Sequence, residues 1–304
     1  MTRRTIVALC SLVAALAVSG CGERKEISSP ASTKSLRIAL APLNAGEAAL
    51  FSADNERAGL DVRFAVSADP AAPIAKLTNG AADLAVTTEP ALLEARGHGK
   101  RVVSVAALTQ GPFTALIGPK LSLGSVLQLA TKPIGTQGLD YQKAMAETIF
   151  TKANIVDVGD DPAGALVTKK VAAVIAPFGG PIAPNVGTAI LVDRLKVPTF
   201  SEYVLVANED AVKENGDVIR SYIGSLARGT RNLAAARKQP AIAPFLQGGE
   251  AAKVRALMLP PAGKPYGWQD TAKWHAFAAW MHQHQLPVNG NGAFTNELLP
   301  GQVP

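Results

Sequence analysis

The order of short apolar runs between Leu36 and Leu108 leaves this chain very few ways to fold. LRIAL (36–40), LDVRFAV (60–66), DLAV (83–86) and RVVSVAAL (101–108) are strand-like, and segments of helical pattern separate them. Glu47 to Arg57 reads as a helix closed by Gly59, Ala72 to Thr78 as a second, and Pro90 to Arg96 as a third stopped by Gly97 and Gly99. Four strands joined by crossovers of helical length are paired most simply as a parallel sheet, since a tight hairpin would reverse the chain. Such a sheet binds small ligands at the carboxyl ends of its strands, where polar loops and first-turn amides converge. Thr87-Thr88-Glu89 stands at one of these ends, between DLAV and Pro90. It reads both as a ligand-facing corner and as an ordinary helix cap.

A second unit repeats the pattern. Thr114 to Ile117 is a strand and Ser125 to Ala130 a helix, and Pro133-Ile134-Gly135-Thr136-Gln137-Gly138 closes a short strand in a glycine loop. A helix from Asp140, a strand Asn154 to Val158, a helix opened by Asp161-Pro162 and reaching Lys170, and a strand Val171 to Ala176 follow. Pro177-Phe178-Gly179-Gly180-Pro181 is the next loop, and Thr188 to Val192 another strand. The last third opens with a strand, Ser201 to Asn208, and then turns helical: a helix from Asp210, a long amphipathic one from Val218 to Lys238, a turn at Ile242 to Leu246, and helices at Glu250 to Met258 and Asp270 to Gln285.

The amino terminus has the form of an export signal. Arg3 and Arg4 precede the apolar run Ile6 to Val18, which is short for a membrane span, and Val18-Ser19-Gly20-Cys21 resembles a bacterial lipobox. Residues 1–20 are therefore expected to be removed, Cys21 to carry lipid, and 21–33 to serve as a tether. Cys10 would leave with the signal, so no disulfide forms within the mature monomer. Losing the two arginines lowers the formal charge from +6 to +4, with no basic cluster to support nucleic-acid binding.

Catalytic chemistry is sparsely represented. The four histidines, His98, His275, His282 and His284, have no ligand-like spacing with a Cys or acidic partner, and no nucleotide cradle, G-x-S-x-G or H-E-x-x-H motif occurs. Binding groups are better supplied. Asn44, Thr87, Thr88, Gln137 and Glu202 stand near strand ends, and Phe113, Tyr141, Phe178 and Trp268 are aromatic side chains that could line a crevice for a planar ligand.

GAADLAVTTEPALLEARGHGKRVVSVAAL, KPIGTQG, ALVTKKVAAVIAPF, SEYVLVANEDAVKENGDVIRSYIGSLARGT, and GKPYGWQDTAKWHAFAAWM with AFTNELLP follow one another along the chain. In this order they resemble the bacterial substrate-binding lipoproteins of ABC importers, in the group that includes binders of the thiamine pyrimidine precursor and related nitrogen heterocycles. The resemblance implies an α/β, two-lobed periplasmic-binding-protein fold of type II-like order, each lobe a mostly parallel sheet flanked by helices. Lobe one would comprise 34–112 and 204–304, and lobe two 113–203. It implies cleft-facing positions at Pro42, Asn44 and Gly46; at Thr87, Thr88 and Glu89; at Gln137 and Gly138; and at Phe178, Gly179 and Gly180. Phe113 and Trp268 join these as aromatic candidates. The first loop, Ala41 to Ala45, lacks the aromatic residues common there in pyrimidine binders. The function implied is capture of a small solute, a nitrogen heterocycle such as a pyrimidine-type vitamin precursor, by a lipid-anchored monomer outside the membrane, with a permease and ATPase as partners. Neither catalysis, a cofactor nor a metal is implied. A pyrimidine-biosynthesis enzyme on the same scaffold and a non-transport signalling module are the competing readings.

Overall fold

The computed structural model describes residues 34–41, 45–67, 69, 71–178, 187–232, 238 and 255–301. Among the described residues, ten strands form two five-stranded sheets. The first contains β1 (Lys34–Leu40), β2 (Leu60–Val66), β3 (Leu84–Thr87), β4 (Val102–Ala107) and β10 (Val204–Asn208), in the order β2-β1-β3-β10-β4. The second contains β5 (Thr114–Gly118), β6 (Pro133–Thr136), β7 (Asn154–Asp157), β8 (Ala173–Pro177) and β9 (Thr188–Leu191), in the order β7-β6-β8-β5-β9. In each sheet one strand is antiparallel to both of its neighbours: β10 lies between β3 and β4, and β5 between β8 and β9. The remaining pairs, β1 with β2 and β3, and β6 with β7 and β8, are parallel. This is a two-lobed α/β architecture with mixed, mostly parallel sheets.

Helices make the parallel crossovers. α1 (Ala48–Phe51) is a single turn after β1, α2 (Ala72–Thr78) precedes β3, and α3 (Glu89–Gly97) leads to β4. In the second sheet α4 (Asp140–Ile149) and α5 (Pro162–Val167) flank β7. After β10 come α6 (Glu209–Glu214) and α7 (Gly216–Gly229), and α8 (Thr271–Gln283) is capped by Asp270, whose carboxylate accepts the Lys273 N–H at 3.1 Å.

Strand alternation divides the core by sheet face. Leu205 and Ala207 of β10 belong to the same apolar layer as Ala115 and Ile117 of β5, whereas Val204 and Val206 share the opposite layer with Leu116. Each apolar layer therefore draws residues from both sheets. α8 links the segment before β10 to α4: Phe277 stacks on Phe200 at 4.5 Å, and the Trp280 indole N–H donates to the Thr148 hydroxyl at 3.1 Å.

Several segments depart from the sequence reading: Ser125 to Ala130 holds only a 3-10 turn, Val126–Leu129, and the helix expected to reach Lys170 ends at Val167. The helix expected to reach Arg57 stops at Phe51, because the Ser52 hydroxyl bonds back to the carbonyls of Ala48 and Ala49 and the Asp54 N–H turns to Ser225 O of α7. α7 ends at Gly229, where a Cβ would collide with Ser52 O, and a 3-10 turn, Thr230–Asn232, follows it; residues 233–237 of the helix expected to reach Lys238 lie outside the described residues. The strand expected from Ser201 begins at Val204, since 201–203 is the return crossing between the sheets.

Candidate functional site

The polar corner lies where the two sheets meet. Thr87 ends β3 and is buried. The Thr88 hydroxyl accepts the Ala91 N–H at 3.2 Å and so caps α3, with Pro90 in its first turn. Across the junction, Tyr141 in the first turn of α4 is buried, with Thr88 and Gln142 close enough to lower its pKa against the rise caused by burial. Two helix N-termini, one from each sheet, therefore meet here. Gln142 also accepts the Gln137 N–H at 2.8 Å and donates to the Gln137 side-chain oxygen at 3.3 Å, holding the loop after β6.

Glu89 is the most unusual group in this junction. It is 1% exposed, and Oε2 accepts the Ser201 N–H at 2.7 Å, while Oε1 is buried without a partner among the described residues. Burial pushes its pKa up to about 8, opposed by the Ser201 hydrogen bond and the charge of Lys273. Glu94, one turn further along α3, is pushed up to about 7 by burial and then by the charge of Asp140. The Thr136 hydroxyl at the end of β6 is likewise buried and unpartnered among the described residues.

The crossings between sheets are tied together by Glu202. Its carboxylate accepts the Phe113 N–H at 3.0 Å, the Thr114 N–H at 2.7 Å and the Thr114 hydroxyl at 3.0 Å. Burial raises its pKa and these three donors oppose the rise. Tyr203 N–H donates to the Thr109 hydroxyl at 3.0 Å, and Leu108 N–H to Tyr203 O at 2.8 Å. Both crossings thus form a hydrogen-bonded ribbon.

The aromatic candidates occupy two places. Phe113 is fully buried and stacks on Phe178, with ring centres 5.0 Å apart and planes inclined by 12°. Trp268 is partly buried, its carbonyl accepts the Gln110 amide at 3.0 Å, and the Lys264 ammonium lies 4.0 Å from its ring centre. Gly138 has φ +80° and leaves room beside Asp157, whose Oδ2 would be 2.9 Å from a Cβ. Pro42, Asn44, Gly179 and Cys21 lie outside the described residues.

Sequence reasoning did not single out Thr136, Gln142, Tyr222 or Tyr266. Tyr222 and Tyr266 are buried, and each has a hydroxyl without a partner among the described residues. Burial raises both pKa values, and for Tyr222 the neighbouring Tyr266 adds to the effect. The one available signal was Tyr266 preceding Gly267, whose carbonyl accepts the Ala107 N–H at 2.9 Å at the end of β4.

Chemically, the junction offers hydroxyls, amides and a buried carboxyl group whose environment favours its neutral form. Among the described residues no cluster of three or more His, Cys, Asp or Glu is placed to hold a metal.

Comparison with known proteins agrees with this architecture. The chain is 25% identical over 269 residues to the formylaminopyrimidine-binding protein of Halalkalibacterium halodurans, covering 78% of this chain and 81% of that one. It is 27% identical over 173 residues to a putative thiamine biosynthesis protein of Haemophilus influenzae, covering 52% and 55%. Among solved structures, the ligand binding component of an ABC-type import system from Staphylococcus aureus, with zinc bound, superposes with a TM-score of 0.67 at 12% identity, over 89% of this chain and 99% of that one. The periplasmic aliphatic sulphonate binding protein of Escherichia coli gives 0.63 at 14% identity, over 87% and 98%. These two likenesses establish the periplasmic-binding fold. The family model described as NMT1/THI5 like matches residues 56–241, well over half of the chain, and this protein belongs to that family.

Proposed function

We propose that this protein is the solute-binding component of an ABC importer, that it takes up a small nitrogen heterocycle between its two sheets, and that it delivers this cargo to a permease and its ATPase. Family membership and the relative named for binding formylaminopyrimidine support the ligand class. On this reading the chain acts as a monomer outside the membrane, held by lipid on Cys21 after removal of residues 1–20, with the two sheets serving as lobes that close on the ligand.

The observation that carries the reading is the state of Glu89. With a pKa of about 8 it is mostly protonated at pH 7, and because Oε2 accepts the Ser201 N–H, the acid proton belongs on the unpartnered Oε1. A neutral carboxyl group presents a donor beside an acceptor. That pair complements a ring nitrogen next to an exocyclic amine, the edge of an aminopyrimidine, and the buried setting strengthens both bonds. Thr87, Thr88, Gln137, Gly138 and the Thr136 hydroxyl would complete the polar surround, with Phe113, Phe178 and Trp268 forming aromatic walls; Pro42, Asn44 and Gly179 are proposed to contribute from their loops.

Calorimetric titration of the purified protein with aminopyrimidines tests this. Saturable binding should hold steady up to about pH 7 and weaken as pH rises through about 8, where Glu89 loses its proton. Glu89→Gln, an amide with the same donor and acceptor, should bind without that pH dependence, and Glu89→Ala should bind poorly. An absence of binding to any aminopyrimidine, together with a different small molecule released on denaturing the protein, would refute the ligand class.

A further inference from the structure

We propose that the outer face of α7 carries a second site, a groove that binds a phosphomonoester and is separate from the junction between the sheets. Ile219, Tyr222, Ile223 and Leu226 bury one face of α7, and Arg220, Ser221, Gly224 and Arg228 lie on the other. With Arg57 and Pro300 they line a cavity of about 390 Å³.

Three arginines line this cavity, and the ion pairs of Arg220 and Arg228 leave donors outside them. Arg228 holds Asp54 through Nε at 3.3 Å and the Asp54 carbonyl through Nη2 at 3.3 Å. Its Nη1 has no such bond and lies near Gly224, 3.6 Å from where a Cβ would stand. Arg220 donates from Nη1 to Asp217 at 3.0 Å, while its Nε is buried without a partner among the described residues. Arg57, on the turn after α1, has no carboxylate partner among the described residues. The two aspartates orient Arg220 and Arg228 without consuming their forks.

An oxyanion is the ligand that satisfies this arrangement. Planar guanidinium forks match phosphate oxygens in pairs, and an anion relieves the mutual repulsion of cations around one cavity. Three guanidiniums against two carboxylates leave a net positive charge at the cavity, which the anionic oxygens of a phosphomonoester neutralise. The cavity is larger than a bare phosphate fills, and Pro300 supplies an apolar wall for an organic substituent. Gly224 keeps the helix surface low at a position where glycine costs about 1 kcal/mol relative to alanine.

Two probes display the same phosphomonoester from different sources: glycerol 3-phosphate in solution, followed by calorimetry, and vesicles containing phosphatidic acid, followed by flotation. The full chain is used for both, and flotation is read as the difference between wild type and variant so that an anchor contributes equally. Saturable, salt-sensitive binding is expected, weakened by about tenfold or more in Arg57→Ala or Arg220→Gln. Asp54→Asn should tighten binding by freeing Arg228, a sign that loss of packing would not produce. Binding to glycerol 3-phosphate identifies a soluble ligand, and arginine-dependent binding to vesicles alone identifies a headgroup. Failure of both probes at millimolar phosphate, or binding indifferent to the three substitutions, would overturn the proposal without touching the reading of the junction.

Discussion

Glu202, on the segment that brings the chain back to the first sheet, takes both the N–H and the hydroxyl of Thr114, on the segment that left it, at 2.7 and 3.0 Å. One buried side chain therefore sets the spacing of the two crossings. Glu202→Ala leaves the Phe113 and Thr114 amides buried without an acceptor and should lower stability by about 3 kcal/mol or more, read from urea unfolding. Glu202→Gln keeps one carbonyl acceptor and should lose less. Equal stability of Glu202→Ala and wild type would show that the crossings hold together without this strap.

Glu89 makes ligand-free stability depend on pH in a definite direction. Its folded pKa, about 8, lies above that of an unfolded glutamate, about 4.3, so between these values the folded chain holds more protons. Stability from this group is present in full below about pH 4 and is lost as pH rises towards 8, by at most about 1.4 kcal/mol per pH unit. Urea midpoints at several pH values should fall more steeply with pH for wild type than for Glu89→Gln. Parallel curves would contradict the buried, proton-holding state.

The adjacent threonines divide their work. Thr88 caps α3 by accepting the Ala91 N–H, so Thr88→Ala should cost about 1 kcal/mol of stability. Thr87 ends β3 and is proposed to face the ligand, so Thr87→Ser should leave the melting temperature nearly unchanged and Thr87→Ala should weaken aminopyrimidine binding. If both substitutions shift melting alone, the corner is a cap and nothing more.

At Gly138, φ of +80° and the proximity of Asp157 act together. Gly138→Ala should destabilise by about 1–2 kcal/mol from the left-handed backbone alone, with the carboxylate contact adding to it. Combining it with Asp157→Ala should recover only the contact's share, which differential unfolding of the single and double variants measures.

Local pattern and long-range need were legible to different degrees. β1 to β4 could be read because alternating or wholly apolar runs were bounded by Gly80, Gly97 and Gly99, and Thr88 because a hydroxyl precedes Pro90 at a strand-to-helix turn. The segment after Phe51 could not, because its helical pattern is overridden by Asp54 donating to Ser225, far along the chain. Glu202 stood beside an apolar run with no local mark of its partner on Thr114. Phe113 and Phe178, rings next to Gly and Pro loops, read individually as crevice walls, and only the backbone bond from Phe178 N–H to Phe113 O at 2.9 Å brings them into one stack. The unpartnered hydroxyls of Tyr222 and Tyr266 are properties of packing, which periodicity does not encode.

The position of β10 also bears on how the chain matures as it emerges from synthesis. β3 and β4 do not touch as ladder partners; they are joined to one another only through β10, a strand that ends at Asn208. A nascent chain growing from its amino terminus holds four strands of the first sheet long before it can close them. Until residue 208 is available, the gap between β3 and β4 stays unfilled, and β5 to β9 can complete their own sheet first. Completion of the first sheet thereby waits on a strand that the ribosome makes only after the whole of the second.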